Sequence, residues 1–143
     1  MQPRTLITNL LLLSVVATAV ADLGFMHASN ALWPPHARFH AIWNVWHVAF
    51  THSLAIALLW SPNPLTPVWR GRVALGILLA FVVSFFVANG FSGMFEASVH
   101  PDVPPRLAPP RLFGLDGNTF GFLLALPVIA WLWWRVERSG LSS

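Results

Sequence analysis

The chain has no cysteine, no tyrosine and no lysine. Without cysteine there is no disulfide, no thiolate nucleophile and no thiolate-held metal or iron–sulfur cluster. The redox compartment is left open. Without tyrosine there is no phenolic acid or radical. All eight basic residues are arginine. Charge of either sign is scarce: 9% of the residues are charged, against about 25% in an ordinary soluble domain. A soluble domain cannot cover its surface with so few charges. The net charge of +3 is small and the arginines stand at segment ends, which speaks against nucleic acid as a partner.

What the chain has instead is apolar sequence, 56% of its 143 residues, enough for one domain over residues 1–143. Four apolar runs predict an all-α, four-helix transmembrane bundle with spans at about 5–22, 35–60, 73–89 and 119–135. The first run starts after Arg4 and ends in Ala19-Val20-Ala21, which resembles a secretory signal peptide. That is the alternative to a first span. Ser61-Pro-Asn-Pro-Leu-Thr-Pro67 reads as a turn, Asn89 to Gly93 as a break or kink, and His100 onward as a proline-rich loop. Pro127 is expected to kink the last span. Trp131, Trp133 and Trp134 read as an interfacial aromatic belt.

Four spans bring both termini to one side. That side carries Arg4, Arg70, Arg72, Arg135 and Arg138, against Arg38, Arg106 and Arg111 on the other, so the termini are expected in the cytoplasm. Asp22, Glu96, Asp102 and Asp116 then gather on the outer side with His27, His36, His40 and His100. Asp102 and Asp116 read as solvated turn residues. Topology alone makes that side the place for a polar site.

The stretch from Trp33 to Trp60 holds four of the six histidines. With a helix starting at Pro35, His36, His40, Trp43 and His47 fall within roughly 60° of one another, and His52 points the other way. The stripe is expected to face inward, toward a pocket shared by the first three helices. His47 lies about 18 Å along the axis, near mid-membrane, where an ionisable residue is a functional candidate by default.

The candidate catalytic residues are His40, His47, Asp22 and Glu96. The imidazoles would move protons and the carboxylates would orient or donate. Glu96 has an apolar sequence around it, which would make it an acid at neutral pH. Trp33, Trp43, Asn44 and His36 are the candidate substrate-binding residues: an aromatic wall with polar groups to hold a substrate oxygen. Asp22, His27, His36 and His40 form an alternative reading as a metal site for copper, zinc or iron, because two imidazoles at i and i+4 can converge on one ion.

The segment His27-Ala-Ser-Asn-Ala-Leu-Trp-Pro-Pro-His-Ala-Arg-Phe-His-Ala-Ile-Trp43 resembles one shared by small four-span membrane proteins of bacteria and fungi, a resemblance that brings no activity with it. The general layout resembles, more distantly, the sterol-isomerase-like membrane domain of the emopamil-binding protein family. That resemblance implies a helical pocket in which histidine, acidic residues and tryptophan shift a double bond through a carbocation. This chain is shorter and matches no motif of that family residue by residue; the acid would be Asp22 or Glu96.

The expected function is therefore a multi-pass membrane enzyme that acts on a lipophilic small molecule by acid–base catalysis, as an isomerase, cyclase or epoxide-opening enzyme, without a cofactor. The alternatives are a metal-binding protein or oxidase and a non-catalytic subunit of a membrane complex. The lipid bilayer is the expected partner, and a homo-oligomer is compatible with the sequence.

Overall fold

A computed structural model describes residues 2–24, 27–95, 111–139 and 141 of the chain. The described residues form helices α1 (Pro3–Leu23), α2 (Pro35–Trp60), α3 (Pro67–Phe91) and α4 (Gly117–Ser139), with a 3-10 turn at Ser92–Phe95 after α3. The protein is an all-α four-helix bundle. Each helix has at least 21 residues, so each spans on the order of 30 Å or more, the thickness of a bilayer's hydrocarbon core. All four are apolar enough to cross a membrane, which makes the chain a multi-pass membrane protein.

Three helices open on a proline, Pro3, Pro35 and Pro67, whose missing N–H costs nothing in a first turn and whose φ is already helical. Thr66 caps α3, its hydroxyl accepting from the Trp69 N–H at 3.3 Å. Asp116 does the same for α4. One carboxylate oxygen accepts from the Thr119 N–H at 2.9 Å, the other from the Thr119 hydroxyl. Asp116 is thus a helix cap rather than a solvated turn residue.

Two expected boundaries move. The third helix starts at Pro67 rather than Val73, because the Pro-Val-Trp-Arg-Gly-Arg segment forms its first two turns. It also runs through Asn89 and Gly90 to Phe91 before tightening into the 3-10 turn. The turn between α2 and α3 is held by Asn63, whose Nδ2 donates to the carbonyls of Leu58 and Ser61 at 3.1 and 2.9 Å.

The core seam of α2 is Ala41, Val45, Val48, His52, Ala55 and Leu59. Its alternating steps of four and three are those of a left-handed helix bundle. On α3 the seam is Gly71, Leu75, Leu78 and Val82, with Ala74 beside it. Ile129, Leu132 and Val136 of α4 meet it, and Ile7 and Leu11 of α1 complete the core. Gly71 lets α3 and α4 approach closely: a Cβ there would fall 2.6 Å from Val136 Cγ1. Arg72 ties the same two helices with a forked pair to Glu137, at 2.7 and 2.6 Å. α1 packs mainly on α2, and α3 on α4 and α2, while α1 meets α3 and α4 only sparsely. The sparse meeting leaves space along α1, and that space positions the site.

Candidate functional site

The space is an apolar groove of about 500 Å³ running between α1, α3 and α4. Its walls are mostly aliphatic and aromatic. Phe81, Phe85 and Phe122 stack edge-on and tilted at 4.5–5.5 Å along one side. Ser14, Thr18 and Ser84 are polar but satisfied or nearly hidden: the Ser14 and Ser84 hydroxyls donate to carbonyls one turn back, and Thr18 is buried. α2 contributes one residue to the groove, Asn44, at the end where Asp22 also lies.

A second cavity, open and about 610 Å³, lies on the other side of that pair. It is lined by Asp22, His27, Trp33, His36, His40 and Asn44, with Pro34, Ala37 and Ala41 between them. Asp22 and Asn44 line both cavities. Asn44 Nδ2 donates to Asp22 Oδ2 at 2.8 Å, so one hydrogen bond between α1 and α2 forms the partition.

The second cavity is built around two pairs. In the first, His27 Nδ1 lies 2.8 Å from the Ala21 carbonyl and 3.7 Å from Asp22 Oδ1. A carbonyl can only accept, so Nδ1 carries the proton and the neutral ring's lone pair is on Nε2. Trp33 packs edge-on against this imidazole at 4.7 Å. In the second pair, His36 Nε2 and His40 Nε2 are 3.0 Å apart. One donates and the other accepts, so the two Nε2 atoms carry one proton between them. The backbone arranges the first pair by turning back after α1, where the Ala28 N–H donates to the Asp22 carbonyl at 2.9 Å. The second pair follows from helical spacing, since i and i+4 lie one above the other.

The expected orientation of the α2 histidines is corrected here. The stripe of His36, His40 and His47 is centred roughly 120° round the helix from the buried seam. All three rings are exposed on the bundle's surface, and the buried histidine is His52, at 1% exposure. His36 and His40 still line the second cavity, together with His27 and Trp33 of the connection from α1. His47, two turns further on, lines neither cavity and is exposed on the outside of the bundle. Trp43 also lines neither cavity; it is exposed and tilted against His40 at 5.8 Å. Glu96 lies outside the described residues. The cavities themselves are not enclosed by the first three helices together: α4 takes the place in the apolar groove that α2 was expected to fill.

Sequence reasoning brought Asp22, His36, His40, Asn44 and Trp33 to one place and kept His27 for a metal site alone. It missed His27 as a ring with a fixed tautomer, a feature that depends on the Ala21 carbonyl six residues back. It also missed Phe81, Phe85 and Phe122 as a groove wall. The Phe-Val-Val-Ser-Phe-Phe spacing on α3 was the available signal.

As potential metal ligands, Asp22, His27, His36 and His40 border one cavity but stand as two separate pairs. Among the described residues no group of three or more histidine, cysteine or acidic side chains converges on a single point. The His36–His40 nitrogens alone have a separation that two ligands on one ion would have, given metal–nitrogen bonds of about 2.0–2.1 Å.

No known protein family, curated protein or solved structure matches this chain.

Proposed function

We propose that this protein is a small integral membrane enzyme that acts on a lipophilic small molecule by histidine and carboxylate acid–base catalysis, of the isomerase, cyclase or epoxide-opening type. The observation that carries the reading is that the Asp22–Asn44 pair borders an apolar groove on one side and a histidine-lined cavity on the other. A substrate's apolar body would lie along the phenylalanine wall. Its reacting end would sit at Asp22, with Asn44 holding an oxygen and Trp33 offering an aromatic face to a developing cation. The His36–His40 pair would accept a proton as a base and return it from the imidazolium so formed. His27 would orient Asp22 and take up the charge that develops. His47 has no part in this scheme.

The test does not depend on naming the substrate. Membrane lipid extracts are incubated with the purified protein in deuterium oxide enriched in heavy-oxygen water, then compared by mass spectrometry. Protonation at carbon deposits one deuteron, and epoxide opening deposits one oxygen. The expected result is one labelled lipophilic species with the native protein and none with Asp22→Asn. Identical extracts from both proteins reject the reading.

A second reading, a metal-binding protein or oxidase holding copper, zinc or iron, is favoured by one observation: the 3.0 Å separation of the His36 and His40 nitrogens. Its test is metal content of the purified protein, native against His36→Ala and His40→Ala. Stoichiometric metal that both variants lose supports it; no metal in any of the three rejects it.

The proposed orientation has both termini in the cytoplasm. The native chain lacks cysteine, so single cysteines report it cleanly. A membrane-impermeant maleimide applied to intact cells should label Leu32→Cys and spare Gln2→Cys; the reverse pattern inverts the topology.

A further inference from the structure

The end of the bundle opposite the two cavities carries a second concentration of chemistry. There the first turn of α1, the last turn of α2, the start of α3 and the end of α4 come together. Among the described residues, five arginines stand at this end, Arg4, Arg70, Arg72, Arg135 and Arg138, against one acidic side chain, Glu137. Glu137 is taken up by Arg72.

Four of the five guanidinium groups lie over tryptophan faces. Arg4 is 4.0 Å from the Trp60 ring centroid, Arg138 is 4.5 Å from Trp134, Arg72 is 4.8 Å from Trp69 and Arg135 is 5.4 Å from Trp131. Arg72 gives its fork to Glu137, whereas stacking at Arg4 and Arg138 uses the flat face of the guanidinium and leaves an in-plane N–H fork for a ligand. That fork matches two oxygens of a phosphate. The stacking also holds long side chains still, so less freedom is lost when a ligand binds. Trp60 is pinned in turn, its indole N–H donating to the Thr8 hydroxyl at 2.9 Å. Arg4 Nε is buried and has no hydrogen-bond partner among the described residues.

We infer that this arginine–tryptophan collar binds the phosphate of an anionic phospholipid. Excess positive charge selects an anion. The depth selects a lipid over a soluble phosphate, because tryptophan at the ends of spanning helices sits at headgroup level. The helices also present exposed apolar flanks outside the groove that would carry the acyl chains: Leu12 on α1, Val73 on α3 and Val128 on α4. A zwitterionic lipid offers the same phosphate but brings a cation with it, so the collar distinguishes the two. Binding here is independent of the acid–base chemistry at the other end.

The test is native mass spectrometry of the full chain released from detergent micelles containing phosphatidylglycerol and phosphatidylcholine of matched chains in equal amounts, with inorganic phosphate added in a separate arm. Phosphatidylglycerol is expected to be retained over phosphatidylcholine by more than about tenfold. Arg138→Gln and Arg4→Gln should each lower that preference about fivefold, the effect of one basic residue near an anionic surface. Arg38→Gln, at the opposite end, should leave it unchanged. Arg138→Lys keeps the charge but loses the fork, and should fall between the native protein and Arg138→Gln. Circular dichroism checks that each variant is folded; should Arg4→Gln unfold, the two Arg138 variants carry the result. Equal retention of the two lipids, an unchanged preference in Arg138→Gln, or displacement of the lipid by inorganic phosphate overturns the inference.

Discussion

Asn44 and Asp22 lie on different helices and meet through one hydrogen bond of 2.8 Å that separates an apolar groove from a histidine cavity. The pair divides the roles expected of it. Asp22 has charge and basicity to give; Asn44 has only a donor and an acceptor. Asp22→Asn preserves shape and removes the charge, so isotope incorporation should fall by roughly 10²–10⁴, the range of a lost acid–base group. Asn44→Leu removes the bond and leaves the carboxylate. It should cost about 1 kcal/mol of stability and reduce incorporation less than Asp22→Asn does. Thermal melts in detergent beside the labelling assay separate the two effects. If Asn44→Leu is the more damaging to incorporation, the pair is a structural clasp and the proton chemistry lies elsewhere.

The two exposed histidines of α2 make a matched control. His40 borders the second cavity and is hydrogen-bonded to His36, whereas His47 borders neither cavity. Both sit on the helix surface, so neither substitution opens a core cavity. His40→Ala should lower incorporation about 10²-fold or more, and His47→Ala should leave it within the scatter of the assay. Equal losses would mean that the reacting centre extends along the lipid face of α2, which the groove between α1, α3 and α4 cannot serve.

Gly121 offers a way to close the groove without disturbing its walls. It lines the groove, and a Cβ added there meets nothing within 4 Å. Gly121 is exposed and not part of the core, so Gly121→Phe would add a ring at the groove rather than overpack the core. It also removes a glycine from a helix, which on its own favours the helix by up to about 0.5 kcal/mol, since phenylalanine is a poorer helix former than alanine. The variant should be at least as stable as the native chain while losing isotope incorporation. It should also lose photocrosslinking of a long-chain alcohol bearing a diazirine, read by peptide mapping. Crosslinks that persist unchanged on α1, α3 and α4 would show that the alcohol was bound from the lipid side, outside the groove.

The bundle was legible because length and hydropathy suffice for spanning helices, and Pro35 marked the beginning of the second. The third start moved by six residues because Pro67-Val-Trp-Arg-Gly-Arg reads equally well as an interfacial loop. The facing of α2 was not legible by polarity, and the reason is the solvent. In water the polar stripe marks the outside; in lipid both faces are apolar. The buried residues Ala41, Val45, Val48, Ala55 and Leu59 are no more hydrophobic than Phe39, Ile42, Trp46, Phe50 and Leu54, which are exposed. Side-chain size carries the signal that polarity lacks: the buried seam holds alanines and valines at steps of three and four, and the exposed positions hold large rings. The Asp22–Asn44 meeting, 22 residues apart in sequence, depends on that facing and could not be read before it.

His52 is the residue this reversal affects most, and it makes a test of stability alone. Its ring is 1% exposed, on the α2 seam, edge-on to Phe81 at 5.4 Å. Nδ1 lies 3.3 Å from the Thr51 hydroxyl, while Nε2 is buried with no partner among the described residues. An unpaired buried polar atom costs about 1–3 kcal/mol, and the aromatic contact with Phe81 returns roughly 0.5–1.5 kcal/mol. His52→Leu has nearly the same volume and removes the unpaired atom together with the ring contact. The difference favours the leucine by about 1 kcal/mol, so its thermal midpoint in detergent should rise and isotope incorporation should not change. His52→Ala, which leaves a hole, should be destabilised by about 2–4 kcal/mol instead. A fall in stability for the leucine variant as well would mean that Nε2 is paired in the folded protein, through water or a bound group, and that the imidazole is there to hold it.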